Sequence, residues 1–217
     1  DEDKVSFAGL LHPESPSSGV YGGMSFIWFP IGEDQGQKAG SLLTLVCGTR
    51  GLAPDEQILG RPGHARYLQA MRRYLASEHK ISMWTKPDPT NLSQPFPRFL
   101  AETWARFDRA IKRYGNHIYA AAEIPEDPVK AEAVVSAFLD FYAWERGWTP
   151  LAAAKSEFEG LIHSLRSHLF LRTTLNNLFQ LLMERRFVIV QGPPGTGKTR
   201  LAGQMLKEKF QDYGISI

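Results

Sequence analysis

The residues with the plainest chemistry are Gly192, Pro193, Pro194, Gly195, Thr196, Gly197, Lys198 and Thr199, which fit G-x-x-x-x-G-K-[ST]. Glycines at this spacing let backbone N–H groups converge on phosphate oxygens, and a helix beginning at the lysine adds its positive end. In such a loop Lys198 reaches the β- and γ-phosphates and the Thr199 hydroxyl holds Mg²⁺, so these two are the catalytic candidates. The stretch from Gly192 to Arg200 is then the binding site for ATP or GTP with Mg²⁺. The surroundings agree: Phe187-Val188-Ile189-Val190 has the composition of a short buried strand, and residues 198–211 have that of an amphipathic helix. A Gly/Pro turn between strand and helix is the simpler alternative, and motif and context together favour the phosphate loop.

Hydrolysis asks for more than this loop. A P-loop NTPase also uses an apolar strand ending in an acid, and the 18 residues after Thr199 contain none. Phe138-Leu139-Asp140 lies upstream in a helical pattern. The expectation is a chain that stops inside its NTPase domain and does not turn NTP over efficiently by itself.

Other constellations are weaker. Residues 60–66 place Arg61, His64 and Arg66 at a predicted helix start, where cations and N–H groups can hold a DNA phosphate. The plain alternative is a required turn with its arginines paired to acids. Residues 61–118 carry eleven Lys/Arg against four Asp/Glu and interleave them with aromatics, which suits flipped or single-stranded bases. Phe99, Trp104 and Phe107 read better as the core face of a helix. Trp84, between a short strand and a Pro-rich loop, is a candidate base or partner contact. Asp55 with Glu78-His79-Lys80 has the residue types of a metal-dependent nuclease, but solvated helix-end charges explain them better. The six histidines (12, 64, 79, 117, 163 and 168) show no metal-ligand spacing. Cys47, in a β-rich run, reads as a small buried apolar residue.

The elements that must position these groups follow from periodicity and breakers. Residues 1–23 read as an irregular lead-in. Residues 24–30 and 41–49 read as an antiparallel strand pair around a glycine-containing loop. Helices are expected over 62–78, 97–114, and from Pro128 to Arg146, with short strands at 81–84 and 117–121. Gly147-Trp148-Thr149-Pro150 breaks the pattern, and helices over 151–169 and 172–184 follow. The fold class expected is α+β for residues 1–146, a small antiparallel sheet with three helices. A helical linker over 147–184 and the start of an α/β P-loop domain over 185–217 complete it.

Composition sets the outer bounds. The chain has 217 residues, 43% hydrophobic and 22% charged, with 19 Gly and 14 Pro, which is globular and turn-rich. One cysteine excludes an internal disulfide framework and fits a reducing, cytoplasmic setting. No apolar run is long enough for a transmembrane helix, so no membrane partner is expected. The start, Asp1-Glu2-Asp3-Lys4, has no signal pattern and predicts a chain beginning inside a longer protein. The net charge of +2 conceals segregation: residues 1–34 and 120–160 are acidic, and 61–118 are basic.

The run Gln191 to Thr199 resembles the P-loops of AAA+ ATPases and of Upf-type helicases. Together with Glu184-Arg185-Arg186 it resembles the entry to the AAA+ module of McrB-type restriction proteins. The strands near 25–30 and 42–48, followed by residues 51–64, resemble the N-terminal regions of some McrB-like ATPases. That resemblance implies a bacterial or archaeal defence ATPase whose N-terminal domain recognises modified or unmodified DNA. It also implies a homo-oligomeric ring that drives a McrC-like nuclease subunit. The family's acidic Mg²⁺ strand, sensor residues and arginine finger have no counterpart in this sequence, which puts ring formation and nuclease coupling in question. A Upf-type helicase fragment and a protein-interaction module ahead of an AAA+ motor remain as alternatives.

Overall fold

The computed structural model describes residues 5–15, 21–32, 39–148, 151–169, 172–191 and 197–210. It starts with a short strand β1 (Ala8–Leu10), which the lead-in's turn residues did not suggest. Strand β2 (Met24–Ile31) and strand β3 (Gly40–Cys47) pair antiparallel over their whole length, with Met24 opposite Cys47 and Ile31 opposite Gly40. This is the strand pair expected from the sequence.

A single turn of helix α1 (Glu56–Leu59) leads into α2 (Pro62–Glu78), where Pro62 occupies the first turn. His64, Leu68, Met71 and Leu75 form its buried stripe. Strand β4 (Met83–Thr85) follows. The single helix expected over 97–114 is instead three pieces: α3 (Arg98–Thr103), a 3₁₀ turn (Ala105–Phe107) and α4 (Asp108–Tyr114). The break falls at Trp104, whose backbone leaves the helical region, and both Trp104 and Phe107 are buried. Phe99 is left 64% exposed, so it is not part of a core face.

Strand β5 (Ile118–Glu123) and helix α5 (Pro128–Glu145) come next. The Asp127 side chain caps α5 by accepting from the Lys130 N–H at 2.9 Å. Val134, Ala137, Phe138, Phe141 and Tyr142 make the inner stripe of α5.

The sheet order is β1-β2-β3-β5-β4, and every pairing is antiparallel. Its two faces carry separate cores. Met24, Phe26, Leu43, Leu45 and Cys47 pack with α2 and α5 on one face. Ile27, Phe29, Leu42, Val46, Ile118 and Ala121 pack with Phe96, Trp104, Phe107 and α4 on the other. This sandwich divides the basic segment. Arg61 is the N-cap residue of α2, and Arg66, Arg72 and Arg73 lie on it, whereas Arg98, Arg106, Arg109, Lys112 and Arg113 lie beyond the opposite face.

Past α5, Ala152–Ala154 form a 3₁₀ turn and α6 (Lys155–Ser167) follows, with Ile162 and Leu165 joining the first core. The chain divides into two units, Asp1–Arg166 and Ser167–Ile217. The division falls within the stretch expected to be linker. In the second unit, α7 (Arg172–Arg185) and α8 (Lys198–Phe210) contact each other. The strand expected over 187–190 is irregular backbone, with Phe187 and Ile189 exposed and no strand partner among the described residues. Among the described residues no helix is long and apolar enough to cross a membrane. The observed mixture is α+β.

Candidate functional site

On the second face of the sheet the short helix α4 covers only part of β2 and β3. A cavity of about 520 Å³ is left beside it, lined by Phe7, Tyr21, Ser25, Ile27, Phe29, Val46, Gly48, Thr49, Arg113 and Tyr114. That volume lies within the range of small-molecule sites. Alternation along β2 turns Ser25, Ile27 and Phe29 toward it. The Phe29 and Tyr114 rings stack at 5.6 Å with 25° between their planes, and Phe7 meets Phe29 edge-on at 6.5 Å. The Arg113 guanidinium carbon is 5.7 Å from the Tyr114 ring centroid. The Ser25 Oγ is buried with no hydrogen-bond partner among the described residues. An aromatic wall, a polar floor and one cation suit a planar, heteroatom-bearing ring attached to an anion.

The rim of this cavity is a knot of backbone. The Gly48 N–H donates to the Gly23 carbonyl at 2.8 Å and the Arg50 N–H to the Tyr21 carbonyl at 2.9 Å. A Cβ at Gly48 would lie 2.2 Å from the Tyr21 oxygen, so only glycine fits. Gly23 adopts φ 69°, beside the Asp55 carboxylate. Asp55 accepts the Met24 N–H at 2.7 Å and two bonds from Arg146 at 3.1 and 3.0 Å. Arg146 also donates to the Met24 carbonyl. With 4% and 5% of their side chains exposed, Arg146 and Asp55 form a buried, bidentate pair.

The residues expected from sequence to contact DNA sit elsewhere. His64 is fully buried and its Nδ1 is 2.8 Å from Glu145. A side chain with no exposed surface makes no DNA contact, so that expectation is corrected: His64 is a core residue. Arg61 donates to the same Glu145 oxygen at 2.6 Å, so it is an arginine paired to an acid at a helix start. Burial pushes the Glu145 carboxyl up, but the hydrogen bond and charge of His64 and then those of Arg61 outweigh it, leaving it below the usual value. Arg66 is exposed on α2, away from the cavity face. Trp84 is half-buried on β4, edge-on to Phe96 at 4.7 Å, and packs on the second core.

Asp55, Glu78 and Lys80 form no nuclease centre. Asp55 is neutralised by Arg146, while Lys80 donates to the Ser77 carbonyl at 2.8 Å. Among the described residues no three His, Cys, Asp or Glu side chains gather as a metal site. Cys47 is buried, and burial pushes its thiol up to about 11, against the opposing pull of Lys86.

Of the residues expected to form a phosphate loop, Gly192, Pro193, Pro194, Gly195 and Thr196 lie outside the described residues. Gly197 is described and adopts φ 79°. Helix α8 begins at Lys198, and its first bond runs from the Leu201 N–H to the Gly197 carbonyl at 2.8 Å. Lys198, Thr199 and Arg200 therefore make up the first turn of α8.

The cavity was not readable as a site from sequence. Its lining comes from segments more than a hundred residues apart, and the one local signal is the alternation of β2. A scan against protein-family profiles and searches of curated proteins and of solved structures returned no match to this chain.

Proposed function

We propose that this chain is the N-terminal part of a McrB-like AAA+ NTPase. In this reading residues 1–146 recognise DNA, and the loop from Gly192 to Thr199, with Arg200, binds ATP or GTP with Mg²⁺. The whole protein would form a homo-oligomeric ring and power a nuclease partner. The observation that carries the nucleotide half is the left-handed Gly197 leading straight into a helix whose first residues are Lys198 and Thr199. A phosphate loop enters its helix through such a junction, and in such a loop the lysine serves the outer phosphates and the threonine hydroxyl the metal. A bound nucleotide would supply the phosphoanhydride bond, and Lys198 and Thr199 are of the types that would hold its phosphates and Mg²⁺.

The DNA half is supported by the aromatic cavity beside α4. We read it as the seat of a single extrahelical base, held against Phe29 and Tyr114 with its backbone near Arg113. Base stacking on aromatics contributes about 1–3 kcal/mol per base, enough to favour a seated base over a bare backbone.

The test is a titration of fluorescent ATP and GTP analogues into the chain, with and without Mg²⁺. Saturable, Mg²⁺-dependent binding that weakens at least ~10-fold in Lys198→Ala is expected, because the variant loses its charge-assisted contacts. Equal binding by wild type and variant overturns the nucleotide reading. In parallel, duplexes carrying an extrahelical base or an abasic gap at the same position are compared by anisotropy. Equal affinity for the two overturns the base reading.

A further inference from the structure

The cations around the cavity mark how a DNA strand would lie on this domain, an inference that rests on reading the cavity as a base seat. Arg113 lines the cavity itself. Arg109 precedes it by four residues on α4, about one turn earlier on the same helix face, and is exposed. At another part of the rim, Arg50 follows the lining residues Gly48 and Thr49, and its amide is tied to the Tyr21 carbonyl. Neither Arg50 nor Arg109 has a carboxylate within 4.0 Å among the described residues.

Most neighbouring cations are neutralised locally: Arg98 by Glu102, Lys112 by Asp108 and Arg106 by Glu123. On this face, Arg50 and Arg109 have no such carboxylate partner among the described residues. Arg66 and Arg72 are exposed as well, but they stand on α2, against the opposite face of the sheet.

We propose that Arg50, Arg109 and Arg113 hold the phosphates flanking the seated base, so that DNA crosses the cavity face and not the α2 face. Recognition is then divided between an aromatic seat that takes one base and a cationic rim that fixes the strand around it.

The experiment measures affinity of the full chain for a duplex with one extrahelical base across a salt series. It uses wild type, Arg50→Gln, Arg109→Gln and Arg113→Gln, with Arg66→Gln and Arg72→Gln as controls on the other face. Glutamine keeps most of the stem, and the five sites are exposed, so folding is expected to survive; thermal midpoints verify it. Each rim variant is expected to bind several-fold more weakly and to lower the salt slope by ~0.9, with the controls unchanged.

The opposite pattern, in which the α2 variants lose slope and the rim variants do not, overturns the proposal while leaving any base preference standing. Rim variants that lose slope while base and abasic duplexes bind equally support the phosphate track and overturn the base seat alone. A wild-type chain that binds no duplex at low salt overturns both.

Discussion

Glu145 holds Arg61 and His64 at once, with 1% of its side chain exposed. Its folded carboxyl lies below the ordinary value of 4.5, so its contribution to stability is complete above that pH and is lost as pH falls through the folded value. Glu145→Gln is therefore expected to be less stable than wild type at pH 7 and to lose less on acidification. Denaturant midpoints at pH 7 and pH 3 check both signs. The Tyr114 ring is the cavity's stacking partner for Phe29. Tyr114→Ala should cost about 1–3 kcal/mol of the preference for a base over an abasic gap. Anisotropy with the two duplexes reads this, and an unchanged preference would place the base elsewhere.

Among the elements, α5 does most to hold the rim. Its last turn supplies Glu145 and its cap residue Arg146, and these consecutive side chains grip the segment from Asp55 to His64 at two points. Asp55→Ala leaves the Arg146 guanidinium buried without its carboxylate and should cost about 3–5 kcal/mol, measured by chemical denaturation. A value near zero would mean that the pair is dispensable. Gly48→Ala puts a methyl against the Tyr21 carbonyl, where backbone on both sides must give way. It is expected to destabilise by about 1–3 kcal/mol and to weaken seating of a base, with the two effects read by thermal melting and by anisotropy.

For the whole molecule, both hydrophobic cores are built from residues within Asp1–Arg166. Residues 1–166 should therefore unfold as one cooperative transition when expressed alone. Coincident melting curves by circular dichroism and tryptophan fluorescence check this; two separate transitions would refute it. Charge belongs to this scale too. The run of cations over 61–118 does not make one basic surface, because the sheet separates α2 from α3 and α4 and carboxylates from other segments neutralise Arg61 and Arg106.

Much of this protein can be read locally. Helices α2, α5 and α8 begin where Pro62, Pro128 and Lys198 indicate, because starts and apolar stripes depend on neighbours a few residues away. The β2–β3 pair is legible for the same reason, and so is the spacing of the phosphate-loop motif. What the chain does at long range is not. The break at Trp104 has no local signal, since residues 98–114 contain no Gly or Pro and read as one helix. The seeming strand at 187–190 has apolar composition, but a strand exists only where another offers its hydrogen bonds. His64 reads as a helix-start ligand until Glu145, 81 residues later, is brought against it. The cavity depends on tertiary structure most of all: Phe7, Tyr21, Gly48 and Tyr114 become one wall only when the sheet closes and α4 proves too short to cover it.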